Sequence, residues 1–361
     1  MERIRAGIIG ATGMVGQNYL RLLRDHPWFQ ITHVSASPRS AGKKYSEAVA
    51  GRWLMDAEIP EAVADLIVGS ASDVEEAKAK CDFVFSAVAM DKQAVREFEE
   101  RYAANGIPVV SNNSAHRNTE DVPMFIPEVN PDHTDIIPFQ RKKHGWDKGF
   151  IVVKPNCSLQ SYLTPVYALM KAGYPVESLI VATLQGVSGA GYPGPASIDM
   201  IDNVVPFIPG EEEKTEQEPL KILGVIENGR FVSDDSLKIS AHCNRVPVID
   251  GHTACVSLKF SSDKPALDEI IAIWEGFSAE PQELGLPSAP QPPIVYRREK
   301  DRPQPRKDRD AGKGMAVTVG RLRECPVMDC RFVALSHNTV RGAAGGAILS
   351  AELLKAKGYL G

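Results

Sequence analysis

The stretch that most restricts the fold lies at the start of the chain. Ile4 to Ile9 is a short apolar run that ends in Gly10-Ala11-Thr12-Gly13-Met14-Val15-Gly16. Val15, Tyr19, Leu22 and Leu23 then recur at helical spacing. Strand, glycine turn and helix in that order form the context in which a glycine fingerprint binds a dinucleotide. Glycine lets the backbone approach a pyrophosphate, and the helix N-terminus adds N–H donors and positive potential. The spacing is GxxGxxG rather than the commoner GxGxxG, and a glycine turn also serves as plain chain reversal. The strand and helix on either side favour the cofactor reading.

The alternation continues. Ile31–Ala36 reads as a second strand, Lys80–Val88 as another, Lys92–Asn105 as a helix and Pro108–Ser111 as a strand. Strands alternating with helices predict a parallel, doubly wound α/β sheet. Ser86 falls at the C-terminal end of its strand, the side on which such sheets bind ligands. An acidic residue after the second strand would favour NAD. This chain has Ser37-Pro38-Arg39-Ser40, then Lys43-Lys44. A guanidinium flanked by hydroxyls suits a 2′-phosphate, so the reading is NADP.

The second organising stretch is Phe150-Ile151-Val152-Val153-Lys154-Pro155-Asn156-Cys157-Ser158. An apolar strand is broken by Pro155 and Asn156, and a helical pattern follows to Met170. Pro165 requires that helix to start late or kink. A cysteine at such a turn is a candidate thiolate nucleophile, its pKa lowered by the helix N-terminus; the competing reading is a small buried hydrophobe. Ser178–Leu184 predicts a strand leading to the glycine-rich loop Gln185–Gly191. Glu211–Glu218 reads mostly as a solvated acidic face, with Glu218 and Lys221, three apart on a helix, the exception. Lys238–Val246 and His252–Phe260 predict a hairpin through Pro247–Gly251, with Arg245 and His252 near its turn. Strand alternation sends His242 and Cys243 to opposite faces, and likewise His252 and Cys255, which argues against zinc; no metal site is expected. His133 and His144 lie in a polar stretch and are expected to be exposed. Pro281–Gly314 reads either as a disordered linker or as an arm on a partner subunit. From His337 a run of small residues opens a terminal helix.

A formal net charge of -5 gives no general attraction to nucleic acid or anionic membrane. No apolar run approaches the ~20 residues that span a bilayer. The chain enters a strand almost at once, leaving no room for a leader, and six cysteines are too sparse for a disulfide framework. A cytoplasmic protein with reduced thiols is expected.

Taken together, GATGMVG at 10–16, SNNSAHR at 111–117, PNCS at 155–158, LQGVSGAG at 184–191, EPLKILG at 218–224, CNRVPVIDGHT at 243–253 and NTVRGAAGGA at 338–347 resemble the aspartate-β-semialdehyde dehydrogenases, in particular their archaeal and fungal branch. The motifs occur in order over nearly the whole chain. The resemblance implies an NADP-linked, phosphate-dependent interconversion of L-aspartate 4-semialdehyde and L-4-aspartyl phosphate, on the route to threonine, methionine and lysine. It implies Cys157 as nucleophile, His252 as general acid/base and Gln185 as the residue orienting the acyl group. Arg245 matches the grip on the substrate α-carboxylate, with Glu218 near the amino group. Asn156 stands beside the nucleophile, and Arg117 and Lys221 match phosphate positions, with Asn113 nearby. Gly10, Thr12, Gly13, Met14 and Val15 match the pyrophosphate loop; Ser37, Arg39 and Ser40 the 2′-phosphate corner; Ser86 and Asn338 the remaining cofactor contacts. The implied architecture is an N-terminal Rossmann sheet (1–155) completed by the C-terminal helix (337–361), plus an α+β catalytic and dimerisation domain (156–336). A homodimer or a dimer of dimers is expected. An acyl-CoA reductase, such as a malonyl-CoA reductase, is the nearest alternative on the same scaffold.

Overall fold

A computed structural model describes residues 3–361; Met1 and Glu2 lie outside the described residues. Six parallel strands form the first sheet: β1 (Ile4–Ile9), β2 (Phe29–Ala36), β3 (Gly69–Ser70), β4 (Phe83–Ser86), β5 (Val109–Ser111) and β6 (Ile151–Val153). Their order is β3-β2-β1-β4-β5-β6, the doubly wound arrangement in which the chain reverses direction beside β1. Alternation along each strand divides the apolar residues between two faces. Ile8, Phe83, Phe85, Val110 and Val152 join one buried cluster with Tyr19 and Leu20. The terminal helix Gly345–Ala356 supplies Ala347, Ile348, Leu349, Leu353 and Leu354 to that same cluster and so completes this layer.

Ile9, Val84, Val109, Ile151 and Val153 face the other way. Their cluster continues through helix Leu163–Lys171 into the second sheet, reaching Leu179, Val181, Ala254, Val256 and Phe332. That sheet is mixed. It contains β7 (Val176–Gln185), β10 (Lys238–Arg245), β11 (His252–Phe260), β12 (Ile294–Arg297), β13 (Val317–Glu324) and β14 (Cys330–Ser336), in the order β10-β7-β11-β14-β13-β12. A small hairpin, β8 (Val225–Glu227) with β9 (Arg230–Val232), stands apart from it.

Several sequence expectations are corrected. β10 and β11 do not form a hairpin. β7 lies between them, parallel to β10 and antiparallel to β11, so the Pro247–Gly251 connection bridges over a strand. The longer loop carries no two-residue turn to impose hairpin register, and the long alternating β7 takes the central place. The segment 281–314 is not a disordered linker. It adds β12 to the sheet edge and folds around Asp308, which pairs with Arg297 and Arg302. Its many charges neutralise one another locally, which a reading of composition misses. After Cys157 comes a four-residue 3-10 turn, Ser158–Ser161, and the α-helix begins only at Leu163. Pro165 falls in that helix's first turn, where its missing N–H costs little. His133 is buried rather than exposed, with Nε2 against Gly224 O and Nδ1 beside Asn130.

Candidate active site

Register in the second sheet assembles the first half of the site. Arg245 on β10 lies opposite Gln185 on β7, and Gln185 lies opposite His252 on β11. His252 in turn lies opposite Ser336 on β14. Four adjacent strands thus end in one row of inward-facing polar side chains, all buried. A slip of one residue in any strand would turn its member to the opposite face.

The loop after β7 packs over this row. Gly186 N–H donates to His252 Nδ1 at 3.1 Å, and Arg245 Nη1 donates to Gly186 O at 2.8 Å. With Nδ1 accepting, the imidazole carries its proton on Nε2, a buried atom without a partner among the described residues. A Cβ at Gly189 would sit 2.8 Å from Arg245 Nη1 and 3.0 Å from His252 Nε2. Glycine at 189 therefore keeps open the space in front of both groups. Asn338 ties the loops together: its Oδ1 accepts from Gly251 N–H at 2.7 Å and its Nδ2 donates to Ser188 Oγ at 2.8 Å. Burial drives His252 down to about 3, so the ring is neutral across the physiological range.

The cysteine turn forms the other half. Glu218 Oε2 accepts from Asn156 N–H at 2.6 Å, while Oε1 accepts from Arg117 Nη1 at 2.9 Å. Arg117 Nε donates to Lys154 O at 3.1 Å, leaving Nη2 without a partner among the described residues. Lys221, read as a phosphate ligand, is differently employed. Its Nζ donates to the carbonyls of Arg117, Thr119 and Val122, each at 2.8 Å, so it anchors the loop that carries Arg117. Burial lowers its pKa to about 7.

The sequence suggests a depressed thiol at Cys157. The structure holds it above the ordinary value, chiefly through burial and then through the Glu211 carboxylate. Lys154, Arg117 and Arg245 pull the other way without reversing the balance. The 3-10 turn after Cys157 is too short to supply the full dipole of an α-helix. Behind the sulfur, the π-helical turn Val340–Ala344 lies so close that a Cβ at Gly342 would be 2.9 Å from Cys157 Cβ.

Four residues with structural roles at the site escaped the sequence reading. Glu211, assigned to a solvated run, is buried and bonds Asn156 and Gln185. Lys154 is buried beside the cysteine, its pKa lowered to about 7 by burial and by Arg117. Arg341 is buried in the π turn, where its guanidinium pairs with Glu128 and donates to Met315 O and Thr164 Oγ1. Glu99 accepts from Ser111 Oγ at 2.6 Å and from Asn113 Nδ2 at 3.0 Å, and Asn113 Nδ2 also reaches Ser86 Oγ at 3.2 Å. Only Glu99 left a sequence signal. It falls on the helix face of Val95 and Tyr102, at apolar spacing, where a charge is out of place.

A separate cleft of about 620 Å³ opens at the C-terminal edge of the first sheet, lined in part by Gly10, Thr12, Gly13, Ser37, Ser70 and Ser72. Gly10 has φ +86°, and a Cβ there would meet Ala87 O at 2.4 Å, so only glycine fits. Met14 and Val15 begin the helix behind the loop. Arg39 is exposed beyond the cleft wall and Ser40 is buried inside its turn. Ser70 and Ser72 were missed because β3, at two residues, is too short to show alternation.

Among known families, residues 5–137 match the semialdehyde dehydrogenase NAD binding domain and residues 166–341 the semialdehyde dehydrogenase dimerisation domain. An aspartate-semialdehyde dehydrogenase of Archaeoglobus fulgidus is 47% identical over 352 residues, covering 98% of each chain. That of Cryptococcus neoformans is 43% identical, covering 99% of this chain and 98% of its own. The crystal structure of the Candida albicans enzyme with NADP superposes with a TM-score of 0.90 at 41% identity, covering 99% of this chain and all of the other.

Proposed function

The chain belongs to the aspartate-semialdehyde dehydrogenase family, in its archaeal and fungal branch, and from that premise we propose that it interconverts L-aspartate 4-semialdehyde and L-4-aspartyl phosphate with NADP and inorganic phosphate, through a thioester on Cys157. The observation that carries this reading is the convergence of one thiol, one neutral imidazole and two buried arginines around the PNCS turn and the Arg245–Gln185–His252 row.

The cleft fits a dinucleotide. Gly10 and Gly13 bring bare backbone to its floor at the start of helix Met14–Leu22, and Thr12 and Ser37 line its wall. Arg39 beside it supplies the cation for a 2′-phosphate. When bound, the nicotinamide accepts the hydride released as the thiohemiacetal becomes a thioester.

The protein's own groups account for the remaining chemistry. Arg245, at the edge of the space kept open by Gly189, holds the substrate α-carboxylate. Cys157 adds to the aldehyde carbon as the thiolate, its proton having passed to water, and the carbonyl oxygen takes the negative charge. His252 donates a hydrogen bond from Nε2–H to that oxygen and holds its charge until the hydride leaves. Arg117 offers Nη2 to phosphate, whose oxygen attacks the thioester carbonyl and expels the thiolate. A thiolate suits both steps, because it adds readily and leaves readily. Glu218 holds Arg117 and the Asn156 backbone in place for them.

We place the domain boundary near residue 155, with residues 337–361 returning to the cofactor domain. A second copy of the chain covers the outward face of the mixed sheet, where Ile180 and Leu184 are exposed. No helix among the described residues is long and apolar enough to cross a membrane; we place the enzyme in the cytoplasm.

The test is NADPH formation from the semialdehyde and NADP⁺, with and without phosphate. Strict phosphate dependence supports the reading. Turnover only with malonyl-CoA and NADPH overturns it in favour of an acyl-CoA reductase.

A further inference from the structure

Helix Glu211–Ile222 opens with Glu211, Glu212 and Glu213, of which only Glu211 is buried. Its carboxylate accepts from Asn156 Nδ2 at 2.9 and 3.0 Å, from Gln185 Nε2 at 3.2 Å and from Lys214 Nζ at 2.7 Å. An ionised carboxylate only accepts, so both amides must turn their NH₂ ends toward it. Asn156 Oδ1 is thereby directed to Ser158, accepting from its N–H at 2.8 Å and its Oγ at 2.7 Å. Gln185 gives its NH₂ to Glu211 and to Thr183 Oγ1, so its oxygen is the group left for a ligand.

We propose that Glu211 is the positioning residue of this site: one buried carboxylate orients the amide beside the cysteine and the amide of the Arg245–His252 row together, and sets a negative charge against the sulfur. The proposal deepens the reading above, since it takes Cys157 as the nucleophile. Gln185 then presents a hydrogen-bond acceptor, which selects substrates carrying an N–H donor. The groups whose charges bear on Cys157 are Glu211 on one side and Lys154, Arg117 and Arg245 on the other. Glu211 itself is held ionised by Lys214 and by the two amides, against the cost of its burial. Its charge favours the protonated thiol in the free enzyme.

The experiment compares wild type, Glu211→Gln and Glu211→Asp, with Cys157→Ser as the blank for the other cysteines. Three quantities are read: the pH midpoint of thiol alkylation by iodoacetamide, and kcat and KM in the phosphate-dependent assay. Glu211→Gln keeps the volume, removes the charge and allows an amide to flip. Its thiol midpoint moves to lower pH and its kcat falls about 10²-fold, the scale of a reacting group displaced by about 1 Å. Glu211→Asp keeps the charge and shortens the reach, so kcat falls while the thiol midpoint stays. A thiol midpoint in Glu211→Gln equal to or above wild type overturns the proposal, as does a kcat within about twofold of wild type in both variants. The alkylation needs no substrate. A wild type without phosphate dependence would therefore defeat the functional reading while leaving the role of Glu211 to be judged by the thiol.

Discussion

Replacing Gly342 by alanine tests whether the π turn holds the cysteine in place. An added Cβ at 342 would lie 2.9 Å from Cys157 Cβ and 3.4 Å from both its Cα and its carbonyl oxygen. Carbon atoms rest at about 3.5–4.0 Å, so the first contact is short by at least roughly 0.6 Å. None of those atoms is the end of a flexible side chain, so no rotamer change relieves the overlap. Gly342 does not occupy the left-handed region, and alanine therefore changes volume without adding backbone strain. Overpacking of this kind costs about 1–3 kcal/mol, which for a chain of this size lowers the melting midpoint by about 1–4 °C. The larger effect is on chemistry. Moving a nucleophile by a substantial fraction of an ångström costs up to about 10²-fold in rate. The assay is steady-state NADPH formation with saturating phosphate, alongside a thermal melt. The expected outcome is a kcat lowered by about 10- to 100-fold with KM for NADP⁺ little changed. A melt lowered by that amount with kcat within about twofold of wild type would show that the turn does not hold the sulfur in place. The strain would then be absorbed elsewhere.

Other perturbations follow from the same geometry. Arg245→Lys keeps a cation but loses the planar fork, and kcat/KM for the semialdehyde is expected to fall about 10- to 100-fold in initial-rate assays. Glu128→Gln leaves the buried Arg341 guanidinium uncompensated; a loss of about 3–5 kcal/mol is expected, read as a melting midpoint lower by about 5 °C. His116 is buried and its pKa is lowered to about 4, chiefly by desolvation. The folded state therefore refuses a proton that the unfolded chain accepts from about pH 6.5 downward. Stability from this group is fully present above that pH and is lost by about 3 kcal/mol as pH falls toward 4. His116→Asn is expected to flatten the wild-type decline over that window in urea titrations, and an unchanged slope would remove His116 as its cause.

The parts of the fold legible in sequence were those with local causes. The parallel sheet followed from apolar runs alternating with helical spacing, and the cofactor cleft from the GxxGxxG turn between a strand and a helix. The row of Arg245, Gln185 and His252 was legible only as motifs. Its geometry depends on β7 inserting between β10 and β11, a long-range pairing that no turn signal announces. Glu211 and Lys154 were missed for a related reason. A charge at the head of an acidic run looks solvated until the strand that buries it is known, and a lysine before Pro155 looks like a strand end. Lys221 was given a phosphate role by the resemblance, but three carbonyls of the 117–122 loop satisfy its ammonium. The thiol shows the same limit. A turn leading into a helix suggests a depressed pKa, yet the helix starts late and a carboxylate stands nearby.

The proposed reaction turns on the passage of the acyl group through a thioester on Cys157. The most direct measurement is the intact mass of the protein after incubation with the semialdehyde and NADP⁺ in the absence of phosphate, followed by peptide mapping. One aspartyl adduct per chain is expected, on Cys157, absent from Cys157→Ser and discharged when phosphate is added. NADPH formation without any adduct, or an adduct that persists in Cys157→Ser, would contradict the thioester route.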